Sequence, residues 1–79
     1  MTATINPVLF LQADVSSEYM RQHHLTPQEF IELDKKHNIL HFLEIGYEPF
    51  HLTGVRGVVE EVDAYIRRRE IDTAAQQDA

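Results

Sequence analysis

From Val55 to Ile66 the chain places apolar side chains at Val55, Val58, Val59, Val62, Tyr65 and Ile66, the i, i+3, i+4, i+7, i+10 and i+11 positions of one helix face. Valine is a mediocre helix former, because its branched Cβ restricts χ1, so a strand has to be considered. The pattern lacks the two-residue alternation of a half-buried strand, and Glu60, Glu61 and Asp63 fall on the other side. The stripe therefore predicts a helix over 54–69, opened by Thr53 as N-cap. Asp63 and Arg67 make a favourable i,i+4 pair, and Arg67–Arg69 suit the negative end of the helix dipole. Such a stripe needs other helices to cover it.

The preceding residues supply them. Asn6 is a good N-cap and Pro7 fits the first helical position, where a missing N–H costs nothing. Val8, Leu11, Val15 and Tyr19 follow at helical spacing, with Leu9, Ala13 and Met20 alongside, which predicts a helix over 7–22. Ser16 and Ser17 are weak interior residues that can kink or shorten it. At the next start, Thr26, Pro27 and Glu29 spell a capping box with proline at N1, and Leu25 can staple onto Phe30. Phe30, Ile31 and Leu33 then form the buried side of a helix over 27–37, with Lys35 and Lys36 in its last turn. Asn38 suits a left-handed stop. Ile39, Leu40, Phe42, Leu43 and Ile45 are apolar nearly all round, which predicts a short helix over 39–46 buried on most sides. Gly46 can end it, and Pro49 biases Glu48 away from helical angles, so 46–52 is expected as a turn or loop.

The expected fold is thus all-α: a compact bundle of about four helices in one domain over 1–69, followed by a flexible tail over 70–79. A chain of 79 residues leaves no room for a second domain, and it has no cysteine to staple the first. Packing, or a partner, has to supply the missing stability. No stretch resembles a signal peptide or a spanning helix; the apolar run Pro7–Leu11 is too short and lacks a preceding basic residue. A cytoplasmic chain is expected.

Thirteen acidic against seven basic residues leave a net charge of −6. Phosphate backbones repel such a chain, whereas a basic protein is drawn to it. The same charge also serves plain solubility. Five histidines invite a search for a metal site. His37 and His41 are four apart, but Asn38 is expected to break the helix between them, and no Glu-containing zinc motif surrounds them. His23 and His24 are adjacent and splay. No metal is expected, and histidines at the surface or at caps are the default.

His51 has two readings: it fastens the loop by bonding helix-end carbonyls or N–H groups, or it contacts a partner. Catalysis would need a second group, and only Glu48 is close in sequence. Without a cysteine or a glycine-flanked serine, acyl-transfer chemistry has no support, and an enzyme is not expected. The run Thr53-Gly54-Val55-Arg56-Gly57 could meet an anion at a helix start, but it lacks the phosphate-loop spacing and lysine, so no cofactor is expected. Close packing at Gly57 and an eased turn at Gly54 explain it better. Arg67-Arg68-Arg69, followed at once by Glu70 and Asp72, reads as a solvated helix end. The acids Glu44, Glu48, Glu60, Glu61 and Asp63 gather near the 46–54 turn, as a solvated face or as a dock for a basic partner.

Leu25-Thr26, Glu29-Phe30, Leu33, His37-Asn38-Ile39-Leu40, Phe42-Leu43, Tyr47-Glu48, Phe50-His51, Thr53-Gly54, Val58-Val59, Val62-Asp63 and Tyr65-Ile66 together resemble a small bacterial family of unknown function. Its pattern runs Tyr-x-x-Leu-His-x-x-Gly, then Ile-Val-x-Asp-Ile-x-x-Tyr-Ile; this chain departs from it at Pro49-Phe50 and at Leu52. The resemblance spans about residues 8–67. It implies a gene placed beside one for a protein with an ADP-ribosyltransferase-like fold, in a layout like a toxin–antitoxin pair. On that basis the chain is expected to be an antitoxin, a non-enzymatic protein-binding module. Its candidate contacts are Glu44, Glu48, His51, Arg56, Glu60 and Glu61. The alternative is a small DNA-binding regulator of helix-turn-helix type, or a general adaptor, which the net charge and the apolarity of 39–46 oppose. Self-association is compatible with either.

Overall fold

Capping places the first helices where local chemistry dictates. The computed structural model of the chain describes residues 6–77, with side chains described as far as Thr73. Helix α1 spans Pro7–His23; the Asn6 side chain accepts a hydrogen bond from the Val8 N–H at 3.0 Å. The two serines leave it unbroken, and His24 ends it in the left-handed conformation (φ 54°), donating its N–H to the Met20 carbonyl. Helix α2 spans Pro27–His37 behind a complete capping box. The Glu29 N–H donates to Thr26 Oγ1 at 3.1 Å, and the Thr26 N–H donates back to Glu29 Oε1 at 2.8 Å. Such a cap contributes about 1 kcal/mol.

Asn38 turns left-handed (φ 54°) as expected, and its own side chain does not cap the next helix, α3 (Ile39–Ile45). That task falls to Asp34, whose Oδ1 accepts from the Leu40 N–H at 2.8 Å while its carbonyl accepts from the Asn38 N–H at 2.7 Å. One residue on α2 thus opens α3, so the two helices are tied through a single side chain. Helix α3 is less buried than its composition predicts. Ile39 and Leu43 are fully covered, but His41 and Glu44 face water and Ile45 is 72% exposed. A seven-residue helix lying on one side of the bundle has only one face to bury.

The 46–52 segment is not all loop. Tyr47–Phe50 form a single turn, α4, separated from α3 by Gly46 alone. Pro49 is tolerated because it lies in the first turn, where its missing N–H has no intrahelical acceptor. A Cβ on Gly46 would sit 2.3 Å from the Phe50 ring, so the side-chain-free position lets that ring fold back towards Phe42. The last helix, α5, runs Val55–Gln77. Thr53 does not cap it: its hydroxyl donates to the Pro49 carbonyl at 3.1 Å. The Gly54 carbonyl accepts from the Val58 N–H instead, which makes Gly54 the residue that opens α5. The close approach at Gly57 comes from the Thr53 methyl, 2.7 Å from where a Cβ would stand, and not from a neighbouring helix.

The helix end lies beyond the expected 69. Backbone from 70 to 77 continues α5, and the Thr73 hydroxyl donates to the Arg69 carbonyl at 2.9 Å. No glycine or proline follows Gly57, so nothing local stops the helix. Residues 78 and 79, the end of the expected tail, lie outside the described residues.

The valine stripe fills the centre. Val58, Val59 and Val62 are wholly buried, with Ile66 nearly so, against Val15 and Tyr19 of α1, Phe30 of α2 and Ile39 and Leu43 of α3. Burial of each such side chain contributes about 1.5–3 kcal/mol. Helix α1 lies along α5 and α3, and the Gln12 amide ties it to the Leu40 carbonyl of α3 at 2.8 Å. No strand occurs among the described residues, and no described helix is long and apolar enough to cross a membrane.

Candidate functional site

The six candidate residues are all exposed, and the fold distributes them. Glu48 and His51 come together on α4 and the turn after it, with Glu48 Oε2 3.7 Å from His51 Nε2. The His51 ring stacks on Tyr47, with centroids 4.8 Å apart and planes 14° from parallel. This ring contact lies within the turn, and among the described residues the His51 side chain makes no hydrogen bond to a helix end. Arg56, at the start of α5, lines a shallow groove of about 760 Å³ with Asp14, Glu18 and Arg21 of α1. Arg21 and Gln22 bind the Glu18 carboxylate and hold it down to about 2.

Glu60 lines a second groove of about 440 Å³ with His23, Asp63 and Arg67. There His23 Nε2 lies 3.1 Å from Asp63 Oδ1, and the His23 ring packs on Tyr19 at 4.3 Å. Burial pushes the Tyr19 phenol up to about 12, with the Asp63 carboxylate adding to the effect. Glu61 points about 100° away from Glu60 around the helix, so the two adjacent acids serve different sides. Glu44 stands on the outer face of α3. The acidic stretch in the sequence is therefore several separate surfaces in space.

A third groove of about 290 Å³ opens between the start of α1 and the α4 turn. Phe10, Leu11, Tyr47, Phe50 and His51 line it, with Asp14 the carboxylate in its wall. Phe10 is 55% exposed, and Leu52, between the lining residues His51 and Thr53, is 81% exposed. Neither residue stands out in a scan for polar chemistry. The available signal was Leu52 itself, a leucine in a turn where it has no helical stripe to join.

His37 is the other residue the sequence concealed. It closes α2 as expected, yet its side chain is buried, at 3% exposure. Arg69 Nε donates to His37 Nδ1 at 3.4 Å, the Tyr65 hydroxyl donates to the His37 carbonyl, and Glu70 Oε1 lies 3.8 Å from Nε2. Nε2 has no hydrogen-bond partner. His41 faces water, so the two histidines do not converge, and no described group of three or more His, Cys, Asp or Glu is placed to hold a metal ion.

Burial lowers the His37 pKa below the ordinary 6.5, aided by the positive charges of Lys36 and Arg69 and opposed by Glu70. The unfolded histidine takes up its proton near pH 6.5, and the folded one only at lower pH. Across that window the unfolded chain holds more protons, so folding stability is expected to fall as pH drops from 7 to 5. Urea midpoints at the two pH values check this. His37→Gln should flatten the dependence; an unchanged slope would overturn the assignment.

Residues 14–69 match the family described as "Protein of unknown function (DUF3791)". The chain belongs to that family. The match runs from the middle of α1 to Arg69 in α5, and so takes in the capping box, the buried His37 with Tyr65 and Arg69, and the turn at His51. Phe10 and the last turns of α5 lie outside it. No curated protein and no solved structure matches the chain.

Proposed function

We propose that this member of the family is a non-enzymatic protein-binding module of the cytoplasm, and specifically the antitoxin that covers an ADP-ribosyltransferase-like toxin. The observation that supports it most is the set of large apolar side chains left in water, Phe10, Ile45 and Leu52 among them, on a chain of net charge −6. Scattered exposed leucines are ordinary, but Phe10 is exposed in a groove whose wall also holds Leu11, Tyr47 and Phe50, an apolar surface that gains from being covered. A basic protein surface meets both the apolar side chains and the charge, and the small core is reinforced by mass action when a partner binds only the folded chain. The family resemblance drawn from Phe50-His51, Thr53-Gly54, Val58-Val59 and Tyr65-Ile66 supplies the nature of that partner. Nucleic acid is not a direct ligand on this reading, because the same charge repels it.

Expression of the adjacent gene alone should arrest growth, and co-expression of this chain should restore it and yield a complex that survives purification. Failure of both rescue and co-purification would remove the antitoxin reading.

A further inference from the structure

The groove between α1 and α4 is at the lower edge of the size of small-molecule pockets, about 300–1,000 Å³. Its wall is also open: Phe10 is 55% exposed, and Leu52, between the lining residues His51 and Thr53 in the chain, is 81% exposed. A small molecule there would stay largely wet. An apolar side chain presented by another protein would be covered by Phe10, Phe50 and the stacked pair of Tyr47 and His51. The rings already have one another's support, since Phe50 packs on Phe42 at 5.3 Å and Tyr47 on His51 at 4.8 Å. Rigid aromatic walls of this kind bind at little entropic cost.

Charge narrows the occupant. Asp14 lies in the wall, and Glu48 stands beside it, 3.7 Å from His51. Of the seven lysines and arginines, Lys35, Lys36 and Arg67–Arg69 belong to the end of α2 and the far half of α5, while Arg21, paired with Glu18, and Arg56 line the adjoining groove and not this one. A second copy of the chain would bring the same acids and another −6 to the contact, which opposes self-association through this face. We infer that this groove is the docking site for a partner-protein segment that presents an apolar side chain flanked by lysine or arginine. The inference rests on the protein-binding reading above and adds to it the surface and the chemistry of the segment.

Two synthetic helical peptides test it on the full chain by fluorescence anisotropy, one built of leucine and lysine, the other of leucine and glutamate. The lysine peptide should bind, and the glutamate peptide should bind at least about tenfold more weakly. Phe10→Asp should weaken the lysine peptide by about tenfold or more, as loss of an apolar contact in the groove wall does, and Leu52→Asp, between the lining residues His51 and Thr53, should weaken it too. Both positions are exposed, so circular dichroism should show the fold unchanged. No binding of the lysine peptide, equal binding of the two peptides, or unchanged affinity in both variants would overturn the inference. So would sedimentation showing a dimer that Leu52→Asp dissolves, because the occupant would then be a second copy.

The growth assay separates this inference from the antitoxin reading. If Leu52→Asp and Phe10→Asp rescue growth as well as the unaltered chain does, the groove is overturned while the antitoxin reading stands. If the unaltered chain fails to rescue but the peptide pattern holds, the antitoxin reading falls and the groove stands.

Discussion

Truncating Leu43 to alanine is expected to cost about 2–5 kcal/mol of folding stability, the range for a leucine removed from a filled core. Leu43 is 0% exposed and sits on α3 among Val15, Ile39 and the valines of α5. Part of the loss is transfer of the missing methyl groups to water, and the rest is the cavity that four packed helices cannot close. At about 0.05–0.15 kcal/mol per residue, 79 residues hold roughly 4–12 kcal/mol in all, so this one change can take up to half or more. Urea unfolding followed by circular dichroism measures it. Ile45→Ala on the same helix is the internal control, since Ile45 is 72% exposed and its loss should stay within about 0.5 kcal/mol. Equal losses at the two positions would mean that α3 is not seated as described.

The second large effect belongs to Tyr65. Its ring stacks on Phe42 at 4.1 Å, the Arg69 guanidinium lies 5.5 Å from its centroid, and its hydroxyl donates to the His37 carbonyl. Tyr65→Ala removes all three and is expected to cost about 3–5 kcal/mol. Tyr65→Phe keeps the ring and leaves the carbonyl without its donor, for about 1–3 kcal/mol. The difference between the two variants isolates the ring's packing. A phenylalanine variant as stable as the original would show that the bond to His37 contributes nothing, and the account of how α2 is held to α5 would fail.

These two residues also show what the sequence could and could not convey. The start of α2 was legible to the residue because every component of its cap, Thr26, Pro27 and Glu29, lies within four positions. The stripe through Val58, Val59, Val62 and Ile66 was legible because helical periodicity alone assigns its face. Leu43 was expected buried with the rest of 39–46, a segment apolar nearly all round, and it is. Ile45 is not: an apolar residue on a short helix is buried only if a neighbour reaches it, and that depends on tertiary placement. His37 depends on Tyr65 and Arg69, 28 and 32 positions away, and no local pattern carries such information. The expected Thr53 cap did not form: Gly54 opens α5, and the Thr53 hydroxyl instead donates back to the Pro49 carbonyl of the preceding turn. At the candidate site, sequence proximity suggested one acidic face, but helical geometry turns Glu61 about 100° from Glu60, and Arg56 and Glu60, one turn apart along α5, meet different neighbours and line different grooves. The apolar groove joins Phe10 to Phe50, 40 positions apart in the chain, so it could be read only from the fold.

Helix α5 has a further consequence as a continuous element with two environments. Its first half is walled in by three other helices, while residues 70–73 are exposed on every side of the turn they form. Amide hydrogens along this one helix should therefore exchange by different routes: those near Val58 and Val62 only when the whole domain opens, those beyond Arg69 by fraying from the end. The helix is a graded gauge of protection, highest at the valines and falling along the exposed turn at 70–73. A partner that grips the distal turns would slow exchange there and leave the core amides as they were, whereas one seated at the α1–α4 groove would leave the gradient in place and raise only the global limit.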